Sequence, residues 1–174
     1  MWINFVSMKS GKQMIEGETR LVFAAHDPGG ALMIGAAAPE LLRRGYLIEF
    51  VAAGPAVSAW QRDGHAVLDV SASEDLTNAL DSPPHAVVAG TGLGEFERAA
   101  WQWARRQGVP SLAAVDSWDN LMRRFETPTG FDFPNVVAVI DDSVEAAFRV
   151  QTRTAAEVTV VGQPHLELQT ARLT

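Results

Sequence analysis

His26 and Asp116 are the two residues of this chain whose types and positions best suit proton transfer. An imidazole takes a proton from a hydroxyl near neutral pH, and a carboxylate on its other nitrogen orients it. Each follows a short apolar run, Leu21 to Ala25 and Ser111 to Val115, so each is expected at a strand end that faces a cleft. Asp27 is nearer to His26 in the chain and is the other candidate to orient it. The alternative role for His26 is structural, a hydrogen bond to the backbone that holds its turn.

The turn His26-Asp27-Pro28-Gly29-Gly30-Ala31 carries a second kind of chemistry. A buried strand that breaks into a two-glycine turn and opens a helix gathers free N–H groups and the positive dipole end, where phosphate-bearing ligands bind. Asp27, Gly29 and Gly30 are therefore candidate ligand contacts. The sequence Gly90-Thr91-Gly92-Leu93-Gly94-Glu95 adds Thr91, Gly92 and Gly94. Its spacing is not that of a dinucleotide fingerprint, and no phosphate-binding Gly-x-x-x-x-Gly-Lys-Ser/Thr loop occurs. These glycines either admit a phosphate or sugar close to the backbone or only permit tight turns.

The segment Asp116-Ser117-Trp118-Asp119-Asn120 contributes Ser117, Trp118 and Asn120. Arg123 and Arg124 follow, with planar guanidinium forks that suit a phosphate or carboxylate, or equally the acids nearby. Asp141, Asp142 and Ser143 end a later strand, and Asp142 or Ser143 reads as the N-cap of a helix over Val144 to Val150. His65, His85 and His165 are too scattered to suggest a metal site, and the chain has no cysteine, so thiolate chemistry and disulfides are excluded. No cofactor leaves a trace in the motifs.

The elements that must position these residues alternate between strand-length apolar runs and helix-compatible segments, which implies parallel strands joined by crossover helices. The strands are expected over Leu21 to Ala25, Leu47 to Ala52, Ala66 to Val70, Ala86 to Ala89, Ser111 to Val115, Val136 to Ile140 and Val158 to Val161. Most are continuous apolar runs, as in strands covered on both faces. Helices over Ala31 to Arg44 and Glu95 to Gln107 end in arginines followed by Gly45 and Gly108, which suits the dipole and a left-handed cap. Pro39 predicts a kink near Gly35, where the small residues Gly35 to Ala38 allow close approach to the sheet. Trp101 and Trp103, two apart, cannot both face the sheet, and one of them is a candidate partner surface. Thr127 to Pro134 reads as a Pro/Gly/Phe-rich loop.

The fold expected is α/β, a doubly wound, mostly parallel Rossmann-like sheet of six or seven strands with helices on both faces. Right-handed crossovers favour the order 3-2-1-4-5-6 with a seventh strand at the edge, and a ligand crevice outside the carboxyl ends of strands one and four. Flavodoxin-like and cobalamin-binding folds rank lower. With 174 residues, one domain over 21–168 is expected. It is preceded by a leader, 1–20, that is disordered or an extended start and holds both lysines, Lys9 and Lys12. A net charge of −7 argues against nucleic acid, and no apolar stretch is long enough to span a bilayer. The chain reads as soluble and cytoplasmic.

The order of motifs resembles the N-terminal half of GT-B glycosyltransferases and of the related non-hydrolysing UDP-N-acetylglucosamine 2-epimerases. The resemblance covers Leu21 to Leu168. It rests on the glycine turn after the first strand, the helix end Leu41-Leu42-Arg43-Arg44-Gly45, the segment Val115 to Asn120 with Arg123-Arg124-Phe125, and Val160-Val161-Gly162-Gln163-Pro164. It implies an acceptor-binding half of a sugar-transfer enzyme, with His26 as the base, a nucleotide-sugar or glycan ligand, and the donor-binding half on a second domain or chain. The tail 169–174 falls where that second half would begin. The epimerases' Gly-Thr-Arg-Pro-Glu-like opening is replaced here by His26 to Gly30, which argues against epimerisation.

Two readings follow. The first is the acceptor-side half of a GT-B-like enzyme, inactive without its donor-binding partner. The second is a non-catalytic nucleotide- or sugar-binding module of Rossmann-like fold. Homo-oligomerisation is open in both.

Overall fold

A computed structural model of the protein describes residues 19–71, 79–152 and 156–171. The expected leader therefore lies almost wholly outside the described residues, as do residues 172–174 of the tail. Thr19 is buried and Arg20 opens the first strand.

The seven expected strands all form, each within about two residues of its expected bounds. They are β1 (Arg20–Ala25), β2 (Leu47–Ala52), β3 (Val67–Asp69), β4 (Ala86–Ala89), β5 (Ser111–Ala114), β8 (Val136–Val139) and β9 (Glu157–Val160). They make one parallel sheet in the order β3-β2-β1-β4-β5-β8-β9. This is the doubly wound order with an extra strand at one edge, so the chain reverses direction across the sheet between β1 and β4. The Thr127 to Pro134 loop holds one further feature, a short antiparallel hairpin of β6 (Glu126–Thr127) and β7 (Gly130–Phe131).

The strands are apolar because most of them are covered. β1 from Leu21 to Ala25, β4, β5 and β8 are buried along their whole length. Their carboxyl ends are built from alanine: Ala24-Ala25, Ala52-Ala53, Ala89, Ala113-Ala114 and Ala138 are all at most 1% exposed. Small side chains at that end let helices and loops come close to the sheet, which brings the turns above it together.

The first expected helix is two helices, α1 (Pro28–Gly35) and α2 (Ala38–Arg43). Pro39 explains the break. It has no N–H to give to Gly35 in a continuous helix, but in the first turn of α2 that donor is not needed. The close approach at Gly35 is to a helix and not to the sheet. A Cβ there would stand 2.9 Å from Trp60 Nε1, which donates to Ala31 O at 2.9 Å. Trp60 belongs to α3 (Pro55–Arg62) and is completely buried against Phe50.

The glycine caps form as expected, with φ of 84° at Gly45 and 68° at Gly108. The latter ends α4 (Phe96–Arg106), which packs on β1, β4 and β5. Both Trp101 and Trp103 are buried, so neither marks an exposed partner surface. Trp101 reaches outside the sheet interface to Phe125 and donates to Asp132 Oδ2. Beyond these lie α5 (Asp142–Thr152) and α6 (Pro164–Ala171). No helix among the described residues is long and apolar enough to cross a membrane.

Candidate functional site

The turns after β1, β4 and β5 meet above the carboxyl ends of those strands, and glycine is what lets them meet. A Cβ on Gly30 would stand 3.0 Å from Gly90 Cα, and one on Gly90 would stand 3.0 Å from Gly30 Cα. The two main chains therefore cross with no room for a side chain at either position. A Cβ on Gly29 would collide with Asp116 Oδ2. Gly94, by contrast, faces open space and is exposed.

Backbone donors in the first turn are taken by the protein's own acids. Asp27 caps α1 by accepting from Gly29 N–H at 2.8 Å, and its carbonyl accepts from Ala31 N–H. Glu97, in the first turn of α4 and 1% exposed, accepts at Oε1 from the N–H groups of His26 (2.8 Å) and Asp27 (3.0 Å). Pro28 has no N–H to offer. The N–H groups that make such a turn attractive to phosphate are thus largely spent on carboxylates.

Asp116 pairs with Arg124 and not with His26. Arg124 Nη1 donates to Asp116 Oδ1 at 2.6 Å, to Thr91 O at 2.6 Å and to Thr91 Oγ1 at 2.9 Å, while Nη2 donates to Ser117 Oγ at 2.6 Å. The two charged side chains are only 10% and 14% exposed. Thr91 is completely buried and donates through Oγ1 to Ala114 O, so it is a post between β4 and β5. The His26 ring lies elsewhere, over the β2–α3 turn, where a Cβ on Gly54 would be 2.6 Å from its Nε2. Among the described residues no hydrogen bond joins His26 to Asp116 or to any carboxylate side chain through its ring.

Farther along the rim, Trp118 is 58% exposed and its indole is fixed by donating to Asp141 Oδ2 at 2.6 Å. Asn120 has φ of 53°, a left-handed conformation that asparagine tolerates and that turns the chain after Asp119. Trp118, Asn120, Leu121, Met122, Arg123 and Gln151 line a pocket of about 280 Å³. Arg123 is exposed there, whereas Arg124 is largely covered.

Asp141, and not Asp142 or Ser143, caps α5, because Asp142 is already helical. Its Oδ1 accepts from Val144 N–H at 2.9 Å and from Ser143 Oγ at 2.6 Å. These bonds, the Ser143 hydroxyl first, then Val144 N–H and the Trp118 indole, hold its carboxyl down at about 2. The Ser117 hydroxyl likewise lowers Asp119. A depressed carboxylate stabilises the fold fully above its unfolded value of 3.8 and loses that contribution as pH falls through the folded one. Asparagine can cap but not carry the charge, so wild type should be more stable than Asp141→Asn near neutrality. Denaturant midpoints should show the gap closing between about pH 4 and pH 2; a gap that stays constant to pH 2 would contradict the assignment.

Reasoning on the sequence missed Glu97, Gly54 and Gln163, whose Nε2 donates to Asp116 O at 2.8 Å. Only Glu97 left a signal, an acid in the first turn of an otherwise sheet-facing helix, directly after the Gly90 to Gly94 turn. Among the described residues no cluster of three or more histidines and acids is arranged to hold a metal.

Fold and site together define the chain as a Rossmann-like α/β unit with a carboxylate-rich rim at the switch point of its sheet. No family model, curated protein or solved structure matches it.

Proposed function

We propose that this chain is the sugar-binding, acceptor-side half of a GT-B-like sugar-transfer enzyme and is inactive on its own. The observation that carries this reading is Trp118, an exposed indole locked by Asp141 beside a pocket lined by Asn120, Arg123 and Gln151. A rigid aromatic face next to amide and carboxylate groups suits a ligand with apolar ring faces and many hydroxyls. The spending of first-turn N–H groups on Asp27 and Glu97 favours a hydroxylated ligand over a phosphorylated one. The donor nucleotide belongs, on this reading, to a second domain or chain.

The other reading, a binding module with no chemistry of its own, is favoured by one observation: Asp116 is held by Arg124, and the His26 ring has no carboxylate partner among the described residues. His26 acts as a base here only if closure of a second body over the rim re-orients it.

Saturation-transfer NMR and calorimetry with neutral glycans, UDP and UDP-sugars test the assignment. Glycans should bind and Trp118→Ala should weaken them about tenfold, the effect of losing one stacking contact, in a variant shown by its unfolding transition to remain folded at the temperature of the titration. Binding of nucleotides alone, unaffected by Trp118→Ala, would overturn it.

A further inference from the structure

The pocket beside Trp118 is lined by one charged side chain, Arg123, and it is a cation. The rest of the lining is apolar or neutral. Leu121 and Met122 supply apolar surface, Trp118 an aromatic face, and Asn120 and Gln151 amides that both donate and accept. At about 280 Å³ the pocket lies at the small end of ligand sites, which suits a single sugar unit.

Arg123 has no duty inside the fold. Most arginines among the described residues form ion pairs with carboxylates. Arg62 and Arg106, which do not, stand in the last turns of α3 and α4, where a cation suits the helix dipole. Arg123 belongs to no helix, is exposed, and makes no ion pair or hydrogen bond among the described residues. The acids near it in the chain or beside Trp118 are engaged elsewhere. Asp116 pairs with Arg124, and Asp119 accepts from the Ser117 hydroxyl. Asp141 accepts from the Trp118 indole, the Ser143 hydroxyl and Val144 N–H at the positive end of α5. None of these three acids lines the pocket.

A guanidinium fork recognises a planar anion best, because two oxygens accept from it in parallel. A carboxylate also brings one negative charge to one cation. A phosphate monoester brings nearly two, to a pocket with a single arginine and with Asp119 and Asp141 close by.

We infer that the sugar held in this pocket bears a carboxylate, as a uronic acid does, and that Arg123 engages it while the sugar ring lies on Trp118. The inference rests on the sugar-binding reading above and names the class of sugar. It divides the recognition between two residues: Trp118 serves any sugar, and Arg123 selects the acidic one.

The experiment is NMR titration of the full chain at about pH 7, where a carboxylate is ionised. The ligands are methyl β-D-glucuronide, its uncharged carboxamide, methyl β-D-glucoside and glucose 6-phosphate. The glucuronide should bind about tenfold more tightly than its carboxamide, as expected of a charge-assisted pair, and added salt should narrow the gap. Arg123→Gln should reduce that ratio to about twofold or less and leave the affinity for the glucoside unchanged. Trp118→Ala should weaken glucuronide and glucoside alike, so the ratio persists. Equal binding of glucuronide and carboxamide overturns the inference and leaves the sugar-binding reading intact. A preference that survives Arg123→Gln, or tighter binding of the phosphate than of the glucuronide, overturns it as well. Absence of binding by every sugar removes both.

Discussion

Replacing Arg124 by methionine should destabilise the protein by about 3–5 kcal/mol, the usual cost of removing one partner of a buried ion pair. Methionine keeps much of the length and apolar volume of the side chain, so the loss isolates the guanidinium. Four acceptors depend on that group: Asp116 Oδ1, Thr91 O, Thr91 Oγ1 and Ser117 Oγ. They belong to the turns after β4 and β5, so Arg124 ties two neighbouring loops to a third residue from the segment beyond. At 10% and 14% exposure for Arg124 and Asp116, solvent does little to screen the charge left behind. In thermal unfolding this corresponds to a fall on the order of 10 °C for a domain of this size. Taking Asp116 to leucine in the same chain should restore part of the loss, because the uncompensated carboxylate is then gone. If the single variant melts within about 2 °C of wild type, the pair is a surface contact in solution and Asp116 is free to serve another partner.

That prediction bears on why the fold was legible in the sequence and the site only in part. Strands reveal themselves through continuous apolar runs, helix ends through Arg-Arg-Gly, and strand order through the right-handed crossover rule, so the seven strands of the parallel sheet and their order follow from local signals and one topological constraint, whereas the β6–β7 hairpin, two residues to a strand, left no such run. The break at Pro39 was visible for the same reason, since the lost N–H is a property of that one residue. Membership of the rim was visible too: His26, Asp27, Thr91, Asp116, Ser117 and Trp118 all follow strands whose carboxyl ends lie together. Pairing was not. Whether Asp116 meets His26 or Arg124 depends on side-chain directions across loops, and nothing in the spacing of positions 26, 116 and 124 decides it. The competing charge wins because a guanidinium offers several donors to the acceptors gathered there, and the imidazole offers at most two. Gly29, Gly30 and Gly90 show the same limit. Their types were informative, but what they admit is other parts of this protein, the Asp116 carboxylate at one and a crossing main chain at the other two.

Glu97 is the residue whose replacement should separate holding the site from forming the sheet. Its Oε1 accepts from two consecutive N–H groups, His26 and Asp27, where β1 turns into α1. Glu97→Ala leaves both donors inside the fold without an acceptor, at about 1–3 kcal/mol each, so a total loss of about 2–6 kcal/mol is expected. Glu97→Gln keeps one carbonyl oxygen of similar reach and should retain those two bonds, while its amide nitrogen stands where Oε2 now has no partner. It should therefore cost far less, about 1 kcal/mol or under, the difference between a charged and a neutral acceptor. Amide hydrogen exchange distinguishes local from global effects. In Glu97→Ala the amides of His26 and Asp27 should exchange faster than those of Phe23 and Val51 in the buried strands, because the loop can open while the sheet stays paired. Equal acceleration at all four positions would mean that Glu97 holds the whole domain together. Equal losses in the alanine and glutamine variants would mean that its charge, and not its acceptor geometry, is what the turn after β1 requires.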